Sequence, residues 1–342
     1  MSFLFKRIPK TPAEFVRVLE ELLIKLDSSG DPKKALEDVN RYLRQLKLVI
    51  SGEDTSSPLE LAHLLANELC HLECLYYMVL GLRKMDFDLR KDVVSVFSAL
   101  LKKPNGNGLE KPVVQALLLQ PETLVLLMRG PEHEELALSC GKILRECILN
   151  EQLHAYVLYL PYFWSYFEYP QRQQFETIAE TVQTLEALLT RNPRLVGQFL
   201  VSNREHFLVR INSLVQSDNY VLKRRSARLL CDILLQKSCQ AFLFEYTDDP
   251  TSLKIVMMLL SDKLRNVNLE GFQLLRLFFA KPKKTQKIFD IFVKNKENFL
   301  RFFDNFDISD LGGSIYEERD FIVNEIRKLP NIERVEMATQ SN

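Results

Sequence analysis

Six cysteines and five histidines are the residues of this 342-residue chain best suited to chemistry, and their spacing offers little of it. The stretch "CHLEC" (70–74) sets Cys70 and Cys74 one helical turn apart with His71 between them. A zinc-type site would need two more ligands; His63 is the nearby candidate, and His71 points to another side of the helix. Cys140, Cys147, Cys231 and Cys239 lie in helical patterns among aliphatic residues, as small buried thiols of a reducing compartment do. His133, His154 and His206 are scattered, without a nucleophile and a carboxylate in a recognisable arrangement. There is no G-x-S-x-G, P-loop, H-E-x-x-H or kinase catalytic-loop set. Nor does any stretch follow the calcium-loop spacing of alternating acids, central glycine and terminal glutamate. The expectation is a protein that is not an enzyme and has no catalytic residue, metal ligand or cofactor.

Binding chemistry is better represented. "LKRRSARLLCDIL" (222–234) sets Lys223, Arg224, Arg225 and Arg228 against one apolar stripe. The chain carries 45 basic and 45 acidic residues, so these cations belong to no overall positive field. That balance argues against nucleic acid as the main ligand, because phosphate binding needs a basic excess. Two readings stand side by side: the solvated face of an amphipathic helix, or one wall of a binding groove. The surroundings of the helix decide between them.

Hydrophobic residues make up 46% of the chain and charged ones 26%, enough to bury a large core. Glycine occurs only 11 times, which suits helices and leaves few phosphate-cradling loops. "MSFLFKRIPK" has too short an apolar stretch, with its basic residues after it, for a signal peptide. Ser2 and the final "TQSN" match no lipidation signal. "YVLYLPYFW" (156–164) is too short to span a bilayer. The expectation is a soluble, cytoplasmic protein with no membrane insertion.

The apolar pattern of "LLCDIL" (229–234) recurs in "VFSALL" (96–101), "ILRECI" (143–148), "LLRLFF" (274–279) and, apart from Thr184, "TLEALL" (184–189). Its markers Phe97, Leu144, Leu185, Leu230 and Leu275 are 47, 41, 45 and 45 residues apart. A polar or proline-bearing break precedes each marker, as in "GPEHEE" (130–135) and "QSDNY" (216–220), and another apolar helix precedes the break. Each unit reads as helix, short turn, longer amphipathic helix. Helical repeats of this length stack because one hairpin cannot bury its apolar face alone. The predicted fold is all-α: an armadillo/HEAT-like, right-handed α-solenoid, one repeat domain over 11–329. An N-terminal arm (1–10) precedes it and a disordered tail (330–342) follows. "TPAEFV" (11–16) supplies a capping Thr11, Pro12 at the first helical position and Glu14 three residues after the cap. "KKPNGNGLEKP" (102–112) reads as an exposed loop, and a last helix is predicted over 314–329.

In such a stack the longer helices line the inner side, where extended partners lie. Their first turns carry "LRKD" (89–92), "QQFETIAE" (173–180), "LKRRSAR" (222–228) and "KLRNVNLEG" (263–271). Arg224 with its neighbours, and Phe175 one repeat earlier, have the composition of an interface hot spot. Phe175 could equally tuck into the adjacent hairpin. "VMMLL" (256–260), followed by "FVKNKENFLRFF" (292–303), reads either as core or as an adaptable pocket. The aromatic tract 156–169 reads as core filling rather than a ligand cage.

"ALSCGKILRECILNE" (137–151), "SDNYVLKRRSARLLCDILL" (217–235) and "LLSDKLRNVNLEGFQLLRLFFAKPKKTQKIFDIFVKN" (259–295) closely resemble the mouse protein twenty-five family. That family is also called calcium-binding protein thirty-nine or, in fungi, HymA-like. "FLFKRIPKTPAEFV" (3–16) and "DFDLRKDVVSVFSALLKK" (86–103) are similar too. The resemblance implies a non-enzymatic armadillo-like scaffold that binds STE20-type (germinal-centre) kinases or pseudokinases and holds them in an active-like state. It implies signalling with liver kinase B or nuclear Dbf2-related kinases in polarity, morphogenesis and cell separation, at sites of growth or division. The family's concave contacts fall on Phe175 and Arg224, and on Lys237 where relatives have arginine; Arg228 lies beside them. Its pocket for a Trp-Glu-Phe partner tail falls on Met257 and Lys294, with Asn298 where the family has a second lysine. No calcium site accompanies the alternative name.

Overall fold

The computed structural model describes residues 11–28, 32–53, 59–71, 73–101, 110–172, 175–306 and 313–331, which form helices and no strand. They fall into two compact units, the chain dividing between Asn192 and Pro193. The first holds α1 (Pro12–Ser28), α2 (Pro32–Ser51), α3 (Leu59–His71), α4 (Cys74–Gly81), α5 (Phe87–Leu101) and α6 (Glu110–Leu119). It continues with α7 (Glu122–Arg129), α8 (Glu134–Cys147), α9 (Glu151–Leu158), α10 (Tyr169–Arg172) and α11 (Phe175–Thr190). The second holds α12 (Pro193–Val215), α13 (Tyr220–Leu234), α14 (Gln240–Asp248) and α15 (Pro250–Leu260). α16 (Arg265–Ala280), α17 (Gln286–Lys294), α18 (Lys296–Asp304) and α19 (Gly313–Lys328) complete it.

Each unit stacks its helices in rows. In the first, α2, α5, α8 and α11 pack in succession, α1, α4 and α7 form a second row, and α3, α6 and α9 a third. In the second, α13, α16 and α19 form the corresponding row of longer helices. The repeat thus has three helices where the sequence pattern shows two. The added helix escapes notice because segments such as α4, "CLYYMVLG", are apolar almost throughout and display no stripe. Each unit is an armadillo-like segment of α-solenoid, and the marker residues lie buried on its long row, Phe97, Leu144 and Leu185 in the first unit and Leu230 and Leu275 in the second. Removing such a leucine from water stabilises by about 1.5–3 kcal/mol, which is what holds one repeat against the next.

Local signals set the helix ends. The Glu14 N–H donates to Thr11 Oγ1 at 3.2 Å, as the capping pattern predicts. Asn150, Asn219 and Asp249 cap α9, α13 and α15 through side-chain oxygens, with Pro250 at the first position of α15. Of the predicted loop 102–112, residues 102–109 lie outside the described residues, while Glu110, Lys111 and Pro112 form the first turn of α6. A first-turn proline loses no helical hydrogen bond, so the loop ends earlier than its composition implies. The arm 1–10 and residues 332–342 also lie outside the described residues. The aromatic tract forms a 3₁₀ helix, Pro161–Phe167, that buries Phe163, Tyr166 and Phe167 and leaves Tyr159 exposed.

The cysteines are packing residues: Cys70 is half-buried, the other five are buried, and burial pushes the Cys140 and Cys147 thiols up to about 12. Among the described residues no group of three His, Cys, Asp or Glu could hold a metal ion.

His154 has no exposed surface, and its Nε2 lies 2.8 Å from the Leu188 carbonyl on α11. A carbonyl only accepts, so Nε2 carries the proton, and Nδ1, which has no partner among the described residues, is bare. Protonating Nδ1 would bury an unpaired donor and a charge; burial accordingly holds the imidazole below its ordinary 6.5. The unfolded chain binds this proton more readily than the folded one. Its stability contribution is therefore complete above about pH 6.5 and is lost as pH falls toward the lower folded value. Thermal melts from pH 7.5 to 5 are expected to fall more steeply for the parent protein than for His154→Gln. Parallel profiles would contradict this assignment.

Candidate functional site

The cationic helix is α13. Leu222, Ser226, Ala227, Leu229, Leu230, Ile233 and Leu234 form its buried stripe, so Lys223, Arg224 and Arg228 lie off it. Two of these cations are tied to the next repeat. Lys223 Nζ is 2.9 Å from Asp262 Oδ2, and Arg224 Nε is 3.6 Å from Glu270 Oε1 on α16. Burial raises the Asp262 carboxyl, but hydrogen bonds from Lys223 and from the Leu264 N–H outweigh it and hold the group below its usual value. Glu270 shows the opposite balance. Burial pushes it up, and the nearby Arg224 and Arg228 offset only part of that.

Similar pairs recur along the long row. Lys47 and Arg44 of α2 reach Asp92 of α5, Arg145 of α8 reaches Glu180 of α11, and Arg276 of α16 pairs with Glu318 of α19. At α5–α8 the guanidinium of Arg90 donates to the Glu135 carbonyl instead. In every case the cation sits on the earlier helix. The basic run is therefore divided: Lys223 is a half-buried staple, whereas the Arg224 side chain keeps 41% of its surface in contact with solvent. Arg228, one turn further on, is exposed and has no ion pair among the described residues.

The other expected contacts are spread out. Lys237 is exposed and opens the 3₁₀ turn Lys237–Cys239 beyond the far end of α13, about 20 Å along the helix from Arg224. Phe175 is the first residue of α11 in the first unit; its side chain lies outside the described residues. Met257 is half-buried on α15, next to Met258, which is 62% exposed and so not core. Lys294 is exposed at the last residue of α17, and Asn298 is exposed on α18.

Asn298 accepts from Arg301 Nη2 at 2.9 Å and lines a cavity of about 390 Å³ with Arg265, Asn268, Arg301, Phe302 and Phe306. No carboxylate lines it, and Met257 and Lys294 are outside its walls. Arg265 and Arg301 therefore supply positive charge on the face that carries Asn298. Position along the chain could not show this, since the arginines come from the start of α16 and the middle of α18.

A larger cavity, which the residue pattern did not single out as a site, lies in the first unit. It measures about 650 Å³ and is framed by α2, α5 and α8; "LRKD", noted for its first-turn position, supplies Lys91 and Asp92 to it.

Rows of stacked helices repeating in threes define an armadillo-like scaffold. The chain belongs to the Mo25-like family, whose model matches residues 3–330. It is 33% identical to the human protein named "Calcium-binding protein 39-like" over 331 residues, 95% of this chain and 97% of that one. It is 32% identical to "Protein HYM1" of Saccharomyces cerevisiae over 347 residues, 97% of this chain and 86% of that one. With "Conidiophore development protein hymA" of Emericella nidulans the identity is 31% over 361 residues, covering 96% and 94% of the two chains. No described helix is long and apolar enough to cross a membrane.

Proposed function

We propose that this chain is a non-enzymatic scaffold that binds a STE20-type, germinal-centre kinase or pseudokinase and stabilises its active arrangement. The reading rests on membership of the Mo25-like family together with the part-exposed Arg224 and the exposed Arg228 on α13. The kinase's regulatory helix and activation-loop region would contact Phe175, Arg224, Arg228 and Lys237. Its tail would engage the surface carrying Met257, Lys294 and Asn298. A ligand shifts a conformational equilibrium only by its differential affinity, and a preference of about 3 kcal/mol for the active form shifts it roughly a hundredfold. This chain transfers no phosphate; it changes the population of a partner that does. The fungal relative's name, which refers to conidiophore development, fits a place in morphogenetic signalling, with a nuclear Dbf2-related or liver-kinase-B-type kinase downstream and a cytoplasmic site of action.

Reconstitution with a STE20-type kinase tests this. Arg224→Ala and Phe175→Ala are each expected to weaken binding at least about tenfold and to remove most of the stimulation. Met257→Asp is expected to abolish tail-peptide affinity while leaving the fold intact. Unchanged stimulation in all three variants would rule out these surfaces. Pull-downs dominated by an unrelated peptide-bearing protein would instead favour a generic armadillo-type adaptor.

A further inference from the structure

We propose that the α2–α5–α8 face of the first unit is a docking groove for an extended acidic peptide segment carrying an aromatic or large aliphatic side chain. Its cavity of about 650 Å³ is walled by Arg44, Lys47 and Leu48 of α2, by Phe87, Asp88, Lys91, Asp92, Val94 and Ser95 of α5, and by Leu138 and Lys142 of α8. Two features of this wall are unusual for a solvated surface. Phe87 is 57% exposed and Leu48 44%, with half-buried Leu138 on the third helix, so each of the three helices contributes an apolar group. An isolated exposed apolar residue needs no explanation, but three framing one hollow do.

The second feature is charge. The wall holds four cations, Arg44, Lys47, Lys91 and Lys142, against two carboxylates, Asp88 and Asp92. Asp92 is taken by Lys47 at 3.0 Å and faces Arg44 at 3.8 Å, and Asp88 meets Lys91 only at 3.9 Å. Lys142 is exposed and has no ion pair among the described residues. Lys91 Nζ stands 4.7 Å from the centre of the Phe87 ring, holding a cation beside the exposed aromatic face. A chain with no net charge therefore concentrates a local surplus of two positive charges around an apolar floor.

This arrangement selects its occupant. Carboxylates spaced along an extended strand can answer Arg44, Lys91 and Lys142, while one large side chain covers Phe87 and Leu138. Packed helices lie about 8–10 Å apart, so the path from α2 to α8 is about 20 Å, or about six extended residues. Nucleic acid fits less well, since a surplus of two charges releases few counterions and leaves the apolar floor unused. The groove lies in the first unit and does not depend on the kinase reading of Arg224.

The test uses the full chain and three fluorescein-labelled heptapeptides read by anisotropy: Glu-Asp-Phe-Glu-Leu-Asp-Glu, its all-Lys charge reversal, and a version with Ala for Phe and Leu. The first is expected to bind saturably and about tenfold more tightly than either control, with affinity falling as salt rises from about 50 to 200 mM. Phe87→Ala and Lys142→Glu, both at exposed positions, are each expected to weaken it about tenfold with unchanged helical circular dichroism. Arg224→Ala is expected to have no effect on it, which separates this groove from the proposed kinase surface. The proposal is overturned if the three peptides bind alike, if none saturates, if both groove variants bind as the parent does, or if heptathymidylate binds more tightly than the acidic peptide.

Discussion

Gly197→Val is expected to lower the melting temperature by about 10 °C in thermal unfolding followed by circular dichroism. A Cβ at Gly197 would lie 2.4 Å from the Ser238 carbonyl oxygen and 2.8 Å from Ser238 Cβ. The nearest obstacle is backbone, which cannot swing aside as the end of a flexible chain does. Ser238 is also fixed from the other side, since its hydroxyl donates to the Pro193 carbonyl. Relief therefore requires α12 and the Lys237–Cys239 turn to separate, at about 3 kcal/mol for overpacking of this kind. Because Lys237 heads that turn, the variant should also lose affinity for any partner that uses Lys237. A melting temperature within about 2 °C of the parent would show that the close approach is not a constraint.

The second large effect is expected at Phe292. Its ring is fully buried on α17 and meets Phe279 of α16 at 4.4 Å and Phe299 of α18 at 5.8 Å between centroids. This cluster joins the three helices near the chain's C-terminal end. Truncating a buried phenylalanine to alanine costs about 3–5 kcal/mol, the sum of lost transfer energy and the cavity left behind. Phe292→Ala should lower the urea midpoint accordingly. Lys294 and Asn298 follow Phe292 by two and six residues, so the proposed binding of a partner tail there should disappear although the Phe292 ring is itself buried. A variant that loses stability but keeps full peptide affinity would show that Phe292 does not position that surface.

The residue pattern disclosed the long-helix row best. Phe97, Leu144, Leu185, Leu230 and Leu275 mark it because amphipathic helices of 14 to 16 residues show a complete stripe. The shorter helices were hidden for the opposite reason: α4 and α9 have eight residues each, too few turns to establish a period. Within the candidate site, the basic stripe of α13 was legible, but its pairing was not. Asp262 and Glu270 lie 39 and 46 residues from Lys223 and Arg224, a distance that only the stacking closes. Arg224 and Arg228 could be placed together from helical spacing alone. The arginine-lined cavity around Asn298 and the cationic hollow around Phe87 could not, because each is assembled from different helices.

The direction of the ion pairs along the long row has a consequence for how the repeats assemble. α16 shows it most fully: its Glu270 faces Arg224 of the helix before and its Arg276 faces Glu318 of the helix after, so it matches its neighbours only one way round. The equal tally of 45 and 45 charges is reached in part joint by joint rather than by averaging over a surface. Such an order penalises a helix docked out of place, where a base would meet a base.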